Sequence, residues 1–228
     1  MTVYSVYEGV SVAQTEEIVF AGDGVRLSGQ IEYPLVTKRQ NTFPLLFILH
    51  HAGCDDRDGY QHFADAGLSA GYAVFRWDKR GTGRSGAGGL GSTTQDAVNA
   101  YEIALEQPHV DRRRAVILAQ DAGTGLLGMS FGLFARVQDP YGVVLATNLL
   151  NGQDVLAIES QLLILMGQHD WNAWQQYGKA VSDAHNHAYK YGAQYYVAPH
   201  ADRMLTDPRT GQFHFGTNNT LQDWLQTI

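Results

Sequence analysis

The chain has 228 residues and a mass of 25.1 kDa, a length typical of one domain. Hydrophobic residues make up 44% of the sequence and charged residues 17%, which excludes a disordered chain and allows a sizeable core. The formal net charge of −7 argues against a surface for nucleic acids or anionic membranes, because such surfaces need basic patches.

The cysteine content and the apolar runs together predict where in the cell the protein acts. Cys54 is the only cysteine, so no intrachain disulfide can form, and residues 1–14 lack the basic start and apolar core of a signal peptide. No apolar run approaches the roughly 18 residues that a membrane span needs. We therefore expect a cytoplasmic monomer or homodimer that acts on a small molecule and binds neither nucleic acid nor membrane.

Strands and helices alternate along the chain. Residues 16–33 predict two strands around the turn at 22–24, preceded by an N-terminal extension over residues 1–15. The continuous apolar run 44–49 is typical of a central parallel strand. Hydrophobic patterns predict further strands at 72–77, 115–118, 141–148, 161–167 and 194–198, and helices at 59–70, 93–106, from about 126, 173–189 and 218–228.

This alternation predicts an α/β fold: a mostly parallel, eight-stranded sheet with helices on both faces, in a single domain over residues 1–228. In such folds the active crevice lies at the carboxyl ends of the strands. The loops of interest are therefore those after residues 50, 78, 120, 148, 168 and 199.

One corner of this sheet carries a charged residue. The apolar strand at 116–118 stops at Asp121, with small residues two positions before it (Ala119) and two after it (Gly123). Such spacing is typical of a tight strand-to-helix turn, where backbone segments approach closely. The first N–H groups of the following helix favour a negative charge there, so we expect Asp121 to be a functional residue.

Five segments together resemble the α/β-hydrolase family, in its cap-less dienelactone-hydrolase and esterase-like branch. ILHHAG (48–53) resembles the oxyanion loop, WDKRGTGRSG (77–86) the loop after the next strand, and AQDAG (119–123) the nucleophile elbow. LILMGQHDWNAW (163–174) resembles the segment that carries the acid, and VAPHADRML (197–205) the loop that carries the catalytic histidine. The resemblance implies Asp121 at the nucleophile position, Asp170 as the acid, and an oxyanion hole made by the N–H groups of Ala52 and Ala122.

The sequence departs from this family pattern at three positions. Asp121 replaces the usual serine, His51 replaces a glycine, and Arg203 stands where the histidine is expected, so the triad is altered. Arginine stays protonated and cannot act as a base. We expect His200 on the same loop to act in its place; the other candidates are His50, His51, His169 and His214.

Two interpretations of Asp121 remain open. In haloalkane dehalogenase-like and epoxide hydrolase-like members, elbows such as HDWG or QDWG resemble QDAG here, and a carboxylate attacks carbon to form an ester that water cleaves. Those members carry a cap domain, whereas residues 149–160 are too few for a cap here, and Ala122 replaces a tryptophan. The alternative is a hydrolytically inactive protein in which Asp121, Arg203 and Asp170 form an ion-pair network for ligand binding or non-hydrolytic chemistry.

The remaining candidates concern the pocket and its cofactors. His51, Cys54 and Trp171 are predicted to line the pocket. One cysteine beside two histidines lacks the spread of ligands that a metal site needs. The glycines at 81, 83 and 86 are not a dinucleotide fingerprint. We therefore expect neither a metal nor a cofactor.

Overall fold

The computed structural model describes residues 14–35, 42–50, 56–147, 152–170 and 174–228. Eight strands form one sheet: β1 (Gln14–Gly22), β2 (Val25–Tyr33), β3 (Phe43–His50), β4 (Ala73–Asp78), β5 (Val110–Gln120), β6 (Gly142–Ala146), β7 (Gln161–Gly167) and β8 (Ala193–Ala198). The helices are α1 (Gln61–Ser69), α2 (Thr93–Leu105), α3 (Ala122–Val137), α4 (Gly152–Leu156), α5 (Trp174–Ala188) and α6 (Phe215–Thr227).

The sheet is mostly parallel. Its strand order is β1-β2-β4-β3-β5-β6-β7-β8, and β2 runs antiparallel to both β1 and β4 while the others pair in parallel. A short 3-10 helix (Arg57–Tyr60) precedes α1, and a two-stranded hairpin of β9 (Thr206–Asp207) and β10 (Gln212–Phe213) lies between β8 and α6. The predicted eight-stranded, mostly parallel sheet is confirmed.

Two apolar layers cover the two faces of the sheet. One layer joins Phe47 and Phe75 of the sheet to Tyr101 of α2, and the other joins Val74 to Phe63 of α1 and to α6. Every residue of β3 is buried, because helices exclude water from both of its sides. This explains why the central strands are continuous apolar runs rather than alternating ones.

The connection between β6 and β7 is short. It comprises residues 147–160, and its described part contains only the five-residue helix α4. This length leaves no room for a cap domain, as expected. In the parts of the chain that the structure describes, no helix combines the length and apolar character needed to cross a membrane.

The first strand begins earlier than predicted. Gln14 and Thr15, which we expected in the N-terminal extension, belong to β1 and pair with Tyr33 and Glu32. The reason is that β2 continues to Tyr33, so its last residues offer backbone partners to the residues before position 16.

The last helix also begins earlier than predicted. Its cap is His214: the Nδ1 atom of His214 accepts a hydrogen bond from the backbone N–H of Thr217 at 3.1 Å. A ring nitrogen thereby replaces the side-chain oxygen that usually caps a helix, which moves the start of α6 to Phe215.

Candidate functional site

The turn between β5 and α3 holds Asp121 in a sharply bent backbone. Its φ of 52° and ψ of −126° lie outside the regions that residues with a side chain favour. The N–H of Asp121 donates to the carbonyl of Ala146 at 3.1 Å, and its carbonyl accepts from the N–H of Thr124 at 3.0 Å and from the Thr124 hydroxyl at 2.7 Å. The bend is thus held from both sides at the corner predicted from sequence.

The helix that follows Asp121 approaches β3 closely. A Cβ atom on Gly123 would lie 2.7 Å from the carbonyl oxygen of Leu49, so only glycine fits this turn without a shift. Ala122 is the first residue of α3, where N–H groups point out of the helix end. The other predicted oxyanion donor, Ala52, and the predicted pocket residues lie outside the described residues; these are His51, Cys54 and Trp171.

Asp170 lies half-buried in the loop that follows β7, which we call the acid loop (168–170). The N–H of Asp170 donates to the carbonyl of Gly167 at 3.3 Å, and the N–H of His169 donates to that of Ala201 at 2.8 Å. A Cβ atom on Gly167 would lie 2.8 Å from the Ala201 carbonyl and would collide with the carbonyl of Asp202. The acid loop therefore packs backbone against backbone on the loop after β8.

The loop after β8, which we call the histidine loop (199–205), presents His200 at the surface. Its backbone φ is 61°, and its N–H donates to Oε1 of Gln168 at 2.8 Å. The His200 ring is exposed and lies edge-on to the ring of His169, with centroids 5.7 Å apart. The structure thus brings the predicted base His200 to the acid loop.

The same loop reaches back towards the elbow. Arg203 is half-buried, and its neighbour Met204 places its sulfur 4.0 Å from Nε2 of Gln120, the residue before Asp121. Asp202 fixes this turn, because its Oδ1 atom accepts the N–H of Met204 at 2.8 Å. The four predicted catalytic positions lie on three loops at one edge of the sheet: Asp121, Asp170, His200 and Arg203. Their roles stay predictions.

Backbone strain is concentrated at this edge. Five non-glycine residues of the described ranges have a left-handed φ. Three of them follow the carboxyl ends of strands (Asp121, Thr147 and His200), and a fourth, Leu205, ends the histidine loop. Thr147 is buried, β-branched and held at φ 59°, with its N–H donating to Leu165 at 2.8 Å. Such residues cost about 1–3 kcal/mol each and cluster at functional sites. Thr147 is thus a strained position at this edge that the sequence does not indicate.

Two of the other candidate histidines have structural contacts. The Nε2 atom of His50 donates to the carbonyl of Trp77 at 2.8 Å, and its buried ring stacks on Tyr60 with centroids 4.5 Å apart. His214 caps α6. Among the candidate histidines in the described ranges, those that lie on the acid loop and the histidine loop are His169 and His200.

The glycine-rich loop after β4 folds around a buried carboxylate. Asp78 is 1% exposed, and its two oxygens accept the N–H groups of Arg57 at 2.9 Å and Arg84 at 3.0 Å. A Cβ atom on Gly83 would collide with the Asp78 carboxyl group. Gly83 thus makes room for a side chain of the protein itself, and the loop is a structural support beside the site.

A groove on the protein lies away from the predicted site residues. A groove of about 270 Å³ between α4 and α5 is lined by apolar residues such as Leu156, Tyr177 and Val181, and by none of the predicted site residues. Among the described residues, no group of three or more His, Cys, Asp or Glu side chains could hold a metal ion.

Comparison with known proteins gives matches in structure alone. No protein-family model and no curated protein matches the sequence. A predicted CIB-like hydrolase of Thermoplasma acidophilum matches with a TM-score of 0.64 and 16% identity, over 92% of this chain and 99% of its own. The esterase PF2001 of Pyrococcus furiosus matches with a TM-score of 0.70 and 14% identity, over 94% and 91%.

A third match is Est1E of Butyrivibrio proteoclasticus, solved with ferulic acid bound. Its TM-score is 0.65 at 13% identity, over 92% of this chain and 96% of its own. The chain therefore has the α/β-hydrolase fold, as the sequence resemblance implied.

Proposed function

We propose that this protein is an enzyme acting on a small molecule, with Asp121 as the nucleophile, His200 as the base and Asp170 as the acid that orients it. The observation that carries the proposal is the strained elbow, with φ 52° at Asp121 held by hydrogen bonds to Ala146 and Thr124. Strain of this kind persists only where the surroundings impose it, which is typical of active sites.

A carboxylate nucleophile suits attack at saturated carbon. Asp121 displaces a halide ion or opens an epoxide, so that a carbon–oxygen bond forms, the carbon–halogen bond or a ring carbon–oxygen bond breaks, and an ester of Asp121 results; the opened ring oxygen takes a proton from water. Water then attacks the ester carbonyl while His200 takes its proton and passes it to the leaving oxygen, which releases the alcohol; the carboxyl group of Asp121 loses its proton to solvent. Attack on an ester or amide would instead give an anhydride, so we do not expect those substrates.

The second step develops negative charge on the carbonyl oxygen of the Asp121 ester. The N–H of Ala122 at the start of α3 and that of Ala52 are the proposed donors to this oxygen. Asp170 would stabilise the imidazolium that forms when His200 takes the proton. The contact between the acid loop and the histidine loop supports this pairing, since the N–H of His169 donates to Ala201 across it.

Isotope labelling tests the nucleophile. A single turnover of 1,2-dibromoethane or styrene oxide in water labelled with oxygen-18 should place one labelled oxygen in the peptide that contains Asp121, read by mass spectrometry. Asp121→Asn should abolish both turnover and label. The matched control is Asp139→Asn, an exposed carboxylate just beyond α3, which should leave both intact. Turnover without label at Asp121 would remove it from this role, and no turnover of either probe would overturn the proposal.

A second candidate function is ligand binding without hydrolysis, through an ion-pair network of Asp121, Arg203 and Asp170. The observation that favours it is the half-buried position of Arg203 beside Met204, which reaches Gln120, whereas the ring of His200 is exposed. One guanidinium can pair with two carboxylates through its forked donors.

Unfolding measurements separate the two candidates. In an ion-pair network, Asp121→Ala leaves the half-buried cation of Arg203 without one of its partners, and the loss of unfolding free energy should approach the roughly 3–5 kcal/mol that breaking a buried pair costs. If Asp121 is a nucleophile instead, it holds no buried partner, and its replacement should change the unfolding free energy by less than about 1 kcal/mol.

A double substitution of Asp121→Ser with Arg203→His that gains activity on p-nitrophenyl acetate would show that the oxyanion hole works.

A further inference from the structure

Gln168 connects the acid loop to the histidine loop through both its backbone and its side chain. Its N–H donates to the carbonyl of Ala198 at 3.0 Å, at the end of β8. Its Oε1 atom accepts the N–H of His200 at 2.8 Å, across 32 positions of sequence. These two bonds flank the residue at which the chain leaves β8 and turns into the histidine loop.

The second bond holds His200 in an uncommon conformation. At φ 61°, the backbone of a residue with a side chain is disfavoured, because Cβ crowds the neighbouring carbonyl. The exposed side chain of Gln168 supplies an acceptor for the N–H of this bent residue. The ring of His200 then lies beside that of His169, with centroids 5.7 Å apart.

We propose that Gln168 is a positioning residue for His200: its side-chain carbonyl fixes the backbone from which the imidazole reaches the ester of Asp121. This inference rests on the proposed function, because it assigns to Gln168 the orientation of the proposed base. Gln168 acts through the His200 N–H and transfers no proton itself. A glutamate at this position keeps the acceptor at the same reach, whereas an alanine removes it.

The test compares Gln168→Ala with Gln168→Glu in the full chain. Loss of one hydrogen bond should raise the exchange rate of the His200 amide about five- to tenfold in the alanine variant. In a single turnover of 1,2-dibromoethane, hydrolysis of the Asp121 ester should slow about tenfold while its formation keeps the parent rate, since the base acts only in the second step. The glutamate variant should restore both rates. Gln95→Ala, an exposed glutamine on α2 bonded to Asn99, is the matched control and should change neither rate.

Each outcome supports or overturns the inference. Faster exchange with an unchanged rate of ester hydrolysis overturns the positioning role, and unchanged exchange in the alanine variant overturns the contact itself. Equal slowing of ester formation and hydrolysis indicates a general structural defect and also overturns it. A parent protein that forms no ester with 1,2-dibromoethane or styrene oxide overturns the proposed function and the catalytic positioning with it. In that case the exchange rate of the His200 amide in Gln168→Ala still shows whether Gln168 binds the backbone of His200.

Discussion

The bend at Asp121 depends on the absence of a side chain at Gly123, because a Cβ atom there would lie 2.7 Å from the carbonyl oxygen of Leu49. Gly123→Ala should therefore destabilise the protein by about 1–3 kcal/mol through overpacking against a backbone that cannot yield. The measurement is the unfolding free energy in urea. The same substitution at Gly132, on the same helix with nothing within 4 Å of its Cβ, should stabilise by about 0.5–1 kcal/mol, since alanine favours a helix interior. Equal effects at the two positions would contradict this account.

Single residues differ in how far the sequence predicts their role. Asp121 could be found because a buried strand, a charged corner and a small residue two positions later are all visible in the sequence. Thr147 could not, because its left-handed backbone follows from the hydrogen bond of its N–H to Leu165, a partner fixed only by the neighbouring strand. The contact between Gln168 and His200 likewise needs two loops to be folded together.

The loop after β4 is an element organised by one buried charge. The two oxygens of Asp78 accept the N–H groups of Arg57 and Arg84, and one lies 3.8 Å from Nε of Arg57. Asp78→Asn turns an amide NH₂ towards one of these donors, and should cost about 2–4 kcal/mol of unfolding free energy. Asp183→Asn is the control, because its ion pair with Lys179 is exposed and should contribute less than about 0.5 kcal/mol. Similar losses for both variants would show that the loop does not depend on Asp78.

The sequence predicts a strand or helix correctly where a single hydrophobic pattern determines its structure. The apolar runs that became β3 and β7 lie between two helix layers, so burial alone determines their conformation. The five-residue helix α4 and the hairpin of β9 and β10 were not predicted, because each is too short to show a period. The early start of α6 was missed because a histidine caps it.

At the scale of the whole molecule, His62 joins elements that are far apart in the chain. Its ring lies between those of Phe63 and Phe213, at centroid distances of 4.3 and 4.6 Å, and so links α1 to the hairpin that follows the histidine loop. Burial lowers the pKa of His62 from 6.5 to about 4, with Asp65 opposing the shift and Arg76 adding to it. The folded protein therefore favours the neutral ring.

This shift predicts how stability depends on pH. Because the pKa of His62 is about 4 in the folded protein and returns to the ordinary histidine value of 6.5 when the chain unfolds, the unfolded chain binds the proton first. The neutral ring of His62 therefore contributes about 2–3 kcal/mol to the unfolding free energy. This contribution is fully present above pH 6.5 and is lost as the pH falls towards 4. His62→Leu should flatten the pH dependence of the unfolding free energy by that amount between about pH 7.5 and pH 4, as measured by urea denaturation. The control is His187→Leu, which changes an exposed histidine in the last turn of α5 and should leave the pH dependence unchanged. If the unfolding free energy of His62→Leu depends on pH as strongly as that of the parent protein, the acid sensitivity comes from other groups.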